Sequence, residues 1–282
     1  MKQFTKRLVL TAVAVAVSVN VWAGKITVKG SDTLLILAQK WSEVYMTNHP
    51  ETRIQVTGGG SGIGIVALQY KSTDLCDASR LMNADEIANC IAVFRKRPTE
   101  YKVALDGLSV FVNRDNPLNE ITIEQLERLF TGKIQNWKEL GGSDAPITVY
   151  NRENTSGTHE FFKEHVLDGA DFVVTAQTMP GTKLLLQAVA RDKNGIGYGG
   201  AAYGVGAKAL RISKVEGSPA VAPTEENVVN GTYPLRRYLY VYLNPAIDKG
   251  EIAAYLNWIR SDEGQKIVKE VGYFPLPKNL RE

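Results

Sequence analysis

Apolar and polar positions change their period repeatedly along this chain. Ile26-Thr27-Val28 is a short β-branched run that stops at Gly30-Ser31-Asp32-Thr33, and 34–45 then places apolar residues at helical spacing. The unit recurs: Arg53-Ile54-Gln55-Val56-Thr57 alternates like a strand, Gly58-Gly59-Gly60-Ser61-Gly62 is a flexible turn, and 63–70 resumes helical spacing. The stretch around Cys76-Asp77-Ala78-Ser79-Arg80 reads as a third turn, with Asp85 and Glu86 in the first turn of another helix. A new strand is expected over 108–112, a polar turn over 113–119, helical pieces over 123–130 and 137–140, and a strand over 147–150 that runs into the loop 151–158. Helices over 160–166 and 181–190, strands over 196–198 and 238–243, and one final amphipathic helix over 252–268 complete the pattern. Strands alternating with helices predict open α/β sheets, in which ligands gather at the carboxyl ends of strands.

The beginning of the chain stands outside this pattern. Lys2, Lys6 and Arg7 precede an apolar stretch over 8–19, and small or apolar residues lead to Ala23, the layout of a signal peptide over 1–23. The apolar core is short for a membrane span, and no cysteine stands near the processing site to take a lipid. The expected product is therefore exported and not lipidated. The whole chain carries 33 basic and 30 acidic residues, a formal +3, and those three leader residues account for the excess. A neutral mature chain gives no support to a broadly basic nucleic-acid face. Two cysteines and 25 unpatterned glycines among 282 residues exclude a disulfide scaffold and a collagen. Export leaves open whether Cys76 and Cys90 form a bridge or remain two buried thiols.

Candidate chemistry lies in the turns. Residues 30–33, 58–62, 77–80 and 152–158 each place hydroxyls, and often glycines, between a strand and a helix. A helix N-terminus presents unpaired N–H groups and a dipole that favours an anion, while glycine lets backbone approach a ligand closely. Each loop alone also fits an ordinary helix cap. Together they point to an oxyanion site, with Arg152 as a bidentate cation and Ser156, Gly157 and Thr158 as donors. Arg80 is either a ligand or a charge at the cleft rim.

At these residues the sequence resembles the substrate-binding proteins of bacterial phosphate ABC transporters. The resemblance rests on Lys29-Gly30-Ser31-Asp32-Thr33, Gly58-Gly59-Gly60-Ser61-Gly62-Ile63-Gly64, the run 74–80, and Arg152-Glu153-Asn154-Thr155-Ser156-Gly157-Thr158. It continues through Tyr233-Pro234-Leu235, the run 238–243, Ser261-Asp262-Glu263-Gly264-Gln265 and Gly272-Tyr273. It implies a two-lobed α/β periplasmic binding protein fold of type II, with the ligand cleft between the lobes. The expected organisation is lobe 1 over 24–105, lobe 2 over 106–237, and 238–282 as the return crossover and a C-terminal helix packing on lobe 1. The implied function is binding of inorganic phosphate in the periplasm and its delivery to a membrane ABC permease, by a monomer without cofactor or catalytic step.

Carried over from the family, Thr33, Leu34, Ser61, Arg152, Ser156, Gly157 and Thr158 are the implied phosphate-binding residues. Ser31, Asp77 and Arg80 are further candidates at the cleft. Well-known enteric members place a carboxylate where Arg80 stands, and a carboxylate accepts the proton of hydrogen phosphate whereas arginine has no acceptor to offer it. Asp32 or Asp77 would have to take that role. The alternatives are a receptor for sulfate or another tetrahedral oxyanion, a secreted adhesive or structural protein reusing the fold, and a phosphatase.

Enzymatic signatures are weak. His49, His159 and His165 form no metal-binding spacing, and Ser156 near His159 lacks a G-x-S-x-G elbow. Gly195-Ile196-Gly197-Tyr198-Gly199-Gly200 fits G-x-G-x-x-G formally, yet helix and polar turn precede it, so a packed turn is expected. Tyr238, Tyr240 and Tyr242 are expected to share one face of a strand.

Overall fold

The structure is a computed structural model that describes residues 24–281; the signal-peptide expectation for 1–23 lies outside them. In chain order the first half contains β1 (Gly24–Gly30), α1 (Leu35–Asn48), β2 (Thr52–Thr57), α2 (Ser61–Gln69), β3 (Leu75–Ala78), α3 (Ala84–Phe94) and β4 (Thr99–Val112). Then come β5 (Glu120–Thr122), α4 (Ile123–Phe130), β6 (Thr148–Arg152), α5 (Gly157–His165), β7 (Gln177–Met179), α6 (Thr182–Arg191) and β8 (Gly195–Gly200). The short β9 (Lys208–Ala209), β10 (Arg211–Ser213) and α7 (Glu225–Val229) lead to β11 (Arg236–Leu243), α8 (Gly250–Arg260) and α9 (Asp262–Val271).

The main sheet has the order β2-β1-β3-β11-β4-β8-β6-β7. β1 pairs in parallel with β2 and β3, and β6 pairs in parallel with β7 and β8. Between these two parallel sets run β4 and β11, antiparallel to each other and to their outer neighbours. Two strands alone therefore carry the main sheet from one half to the other. Each half has its own apolar core. Ile26, Leu37, Trp41, Val103, Leu239, Tyr255 and Val268 belong to one, and Leu108, Leu126, Phe130, Phe162, Ile196 and Tyr198 to the other.

Four expectations change on this scaffold. The strand expected to begin at 108 is the second half of β4, which runs unbroken from Thr99: its first part pairs with β11 and its last with β8. Asp106 and Gly107 look like a break but are packed within it, the carboxylate held by Arg237 and the glycine with Val228 where a Cβ would sit. The stretch expected as a third turn begins with β3, four buried residues, so the turn starts only at Ser79. The final helix is two. Ser261 is extended at φ −69° and ψ 170°, its hydroxyl donates to the Trp258 carbonyl and accepts from Gly264 N, and α9 starts anew. Trp41 Nε1 donates to the Gly264 carbonyl at 2.8 Å, which ties α9 to α1.

The glycine run expected as a packed turn is the buried strand β8. A Cβ at Gly197 would stand 2.6 Å from Leu185 Cδ2, so this run serves close packing of α6 on the sheet. Tyr238, Tyr240 and Tyr242 do stand in a row, with ring centroids 6.3 and 5.9 Å apart.

Candidate functional site

Four loops deliver four hydroxyls to one buried place. Thr33 Oγ1 lies 2.7 Å from Thr158 Oγ1, Thr158 Oγ1 lies 3.5 Å from Ser79 Oγ, and Ser79 Oγ lies 3.4 Å from Ser61 Oγ. None of the four residues is more than 1% exposed. Ser61 opens α2 and Gly157 and Thr158 open α5, so two helix N-termini point their unpaired N–H groups at this cluster. Gly157 lies against it: a Cβ there would stand 2.3 Å from Ser61 Oγ and 2.8 Å from Ser79 Oγ.

Local chain chemistry explains how these loops meet. Gly30 carries φ +148°, and a Cβ would fall 2.1 Å from the Asp77 carbonyl; that closeness lets Ser31 N donate to the same carbonyl at 2.9 Å. Gly60, at φ +96°, donates its N–H to the Gly30 carbonyl. Its missing Cβ leaves room for the Thr155 carbonyl, which accepts from Gly62 N at 3.0 Å across the two halves.

Arg152 is almost fully buried at the end of β6. Its Nη1 donates to Thr182 Oγ1 at 2.7 Å, its Nη2 to Asp32 Oδ2 at 2.8 Å, and its Nε and Nη2 to the two carboxylate oxygens of Glu153. Burial alone would push the Glu153 carboxyl up, but the guanidinium outweighs it and holds the group below the ordinary carboxylate range. Asp32 uses its other oxygen to accept from Gly59 N at 2.9 Å.

Several expected residues take other work. The Ser31 hydroxyl accepts from Thr33 N at 3.2 Å, and the Ser156 hydroxyl caps α5 by accepting from His159 N. Leu34 is fully buried at the start of α1. Arg80 does not join the hydroxyls. Its Nη1 and Nη2 donate to both Glu86 oxygens at 2.7 and 2.8 Å, and its Nε lies 2.5 Å from Glu160 Oε2, an ion pair without hydrogen-bond alignment. Arg80 thereby stands apart from the hydroxyl cluster, beside a cavity of about 390 Å³ that Glu160, Phe161 and Tyr238 also line. Asp77 contributes its backbone carbonyl to the loop, while burial pushes its carboxyl up to about 7. Cys76 and Cys90 are two free buried thiols in one small apolar cluster, the second of the two alternatives left open above.

One neighbour of the site escaped the sequence reading. Arg237, on β11, donates Nε and Nη2 to Asp106 Oδ2, Nη1 to the Ser79 carbonyl at 3.1 Å, and Nη2 to Thr158 Oγ1 at 3.0 Å. The one available signal was a charged residue at the head of the apolar strand 238–243, where a fully buried cation needs a partner. The hydrolase arrangement is not assembled: the His159 imidazole pairs with Asn151 Oδ1 at 3.1 Å and tilts over Phe172, while Ser156 caps backbone.

Comparison with known proteins agrees with this geometry. A sequence model described as a PBP superfamily domain matches residues 20–263. The phosphate-binding protein PstS of Pseudomonas aeruginosa is 34% identical over 277 residues, covering 92% of this chain and 85% of the relative. PstS of Bacillus subtilis is 31% identical, covering 90% of this chain and 81% of its own length. Among solved structures, a phosphate ABC transporter substrate-binding protein from Clostridium perfringens, with bound phosphate, superposes with a TM-score of 0.82 at 28% identity, over 90% of this chain and 100% of that one. An ABC-type phosphate transport receptor from Vibrio cholerae gives a TM-score of 0.72 at 28% identity, over 89% and 100%. With its two parallel half-sheets bridged by β4 and β11 and its hydroxyl cluster between them, the chain belongs to the PstS phosphate-binding proteins of the PBP superfamily.

Proposed function

We propose that this protein binds inorganic phosphate between two lobes and delivers it to a membrane ABC permease. Lobe 1 comprises 24–105 with the returning segment 238–282, and lobe 2 comprises 106–237. The observation that carries the reading is the meeting of Thr33, Ser61 and Ser79 from one side with Gly157 and Thr158 from the other. Hydroxyls and helix N-termini are what a small multiply charged oxyanion needs in place of water.

The binding set is Thr33, Ser61 and Thr158 through their hydroxyls, Leu34, Ser156 and Gly157 through the loop backbone, and Arg152 through its guanidinium. Ser79 joins them. Capture begins on the lobe 1 loops, and closure brings Gly157, Thr158 and Arg152 over the anion; the hydroxyls that touch one another here turn their protons to it. Only the closed form presents donors from both lobes, so closure is coupled to the anion and is the signal for the permease. The protein works in the periplasm as a monomer and performs no chemistry on its ligand.

Titration calorimetry of the anion-stripped protein with phosphate, and with phosphate in the presence of sulfate, tests the reading. One saturable phosphate site with weak sulfate competition supports it. Equal affinity for both anions makes the protein a general oxyanion receptor, and no heat with either removes the proposal.

A further inference from the structure

We propose that Arg237 is a positioning residue that sets the hydroxyls of the site as donors, so that the site favours the phosphate dianion over the monoanion. This rests on the phosphate reading above. Its guanidinium is 2% exposed and stands where three parts of the fold meet: Asp106 on β4, the Ser79 carbonyl after β3, and the Thr158 hydroxyl in α5. Phe161 covers it at 5.2 Å from the ring centroid.

The consequence follows from donor and acceptor capacity. An arginine N–H can only donate, so Thr158 Oγ1 must accept from Nη2 and spend its own proton on another partner. Thr33 Oγ1, at 2.7 Å, is within reach of that proton. The same logic reaches Ser61 through backbone. Arg237 Nη1 fixes the Ser79 carbonyl, and Ser79 N donates to Ser61 Oγ at 3.1 Å, which leaves the Ser61 proton to donate in turn. One side chain on a crossover strand thus orients hydroxyls that belong to opposite lobes. Of the nearby carboxylates, Asp106 is held by Arg237 and Ala201 N, Asp32 by Arg152 and Gly59 N, and Glu153 by Arg152, while burial favours the protonated form of Asp77. A ring of committed donors suits an anion with few protons of its own, the remaining carboxylate lone pairs being enough for the single proton of the phosphate dianion.

The test is phosphate titration by calorimetry at pH 6, where the monoanion dominates, and at pH 8, where the dianion does. It compares wild type with Arg237→Lys and with the paired change Arg237→Met and Asp106→Asn, each checked by thermal melting. The lysine keeps a positive partner for Asp106, and the pair removes both charges, so neither variant leaves a buried carboxylate alone. The expected result is affinity weakened roughly ten- to a hundredfold at pH 8, the loss of a hydrogen bond from a charged donor, and a clearly smaller loss at pH 6. A group that titrates between these pH values, such as Asp77, does so in wild type and variants alike, so the difference between the two losses isolates Arg237. Unchanged affinity, or an equal loss at both pH values, overturns the inference, because a purely structural arginine would weaken both forms together. A wild type that binds no phosphate at either pH overturns the phosphate reading itself.

Discussion

Arg152 Nη2 lies 2.8 Å from Asp32 Oδ2, so the cation of the second-lobe loop is clasped by a carboxylate of the first. The two halves are therefore held together by charge as well as by hydroxyls. Glu153 holds the same guanidinium from its own lobe, which keeps the arginine placed when the lobes part. Arg152→Gln removes both the clasp and the proposed anion donor, and phosphate affinity should fall at least tenfold, with Arg152→Lys between it and wild type. Calorimetry reads this directly; wild-type affinity in the glutamine variant would remove Arg152 from the site.

Lobe closure depends on Gly60 having no side chain. A Cβ there would stand 2.4 Å from the Thr155 carbonyl across the cleft, at a φ of +96° that L side chains seldom adopt. Gly60→Ala should cost about 1–2 kcal/mol of stability but block closure, so that phosphate affinity drops far more than the melting temperature suggests. Small-angle scattering with and without phosphate distinguishes the cases. Ligand-induced compaction of the alanine variant equal to that of wild type would contradict this.

Arg80 holds Glu86 in its own lobe and Glu160 in the other. Glu160 is partly exposed, and an ion pair in that setting contributes about 1 kcal/mol or less. Arg80→Met should accordingly change phosphate affinity by less than about fivefold. A collapse of a hundredfold or more would show that the arginine reaches the anion.

Asp77 supplies a pH dependence of stability. Burial raises its carboxyl from the ordinary range near 4 to about 7, so the folded chain holds the proton more tightly than the unfolded one. Stability is then lost as pH rises between those two values, and above pH 7 the ionised group costs on the order of a few kcal/mol. Asp77→Asn should raise the melting temperature more at pH 8 than at pH 5. An equal effect at both values would mean that Asp77 titrates normally.

What could be read before the fold was known was local. β-branched runs, glycine turns and helical spacing announce β1, α1, β2 and α2, and the hydroxyl-bearing turns between them announce an anion site. What could not be read was set by partners far along the chain. Asp106-Gly107 looks like a break until Arg237 and Val228 are found beside it, 131 and 121 positions away. Arg80 follows a site loop and so resembles a ligand, yet Glu86 and Glu160 decide where it points. Arg237 sits in no hydroxyl-rich loop at all; only the return of β11 between β3 and β4 carries it to Ser79 and Thr158. The break at Ser261 was a propensity question lost to capping, since its hydroxyl ends one helix and starts the next.

Phosphate binding between the lobes is a matter of place as much as of affinity, and a crystal structure of the protein grown with phosphate shows the place. Density is expected for one tetrahedral anion within hydrogen-bonding distance of the Thr33, Ser61 and Thr158 hydroxyls, with Arg80 still on Glu86 and Glu160. An anion seated instead on Arg80, or none between the lobes at saturating phosphate, would contradict it.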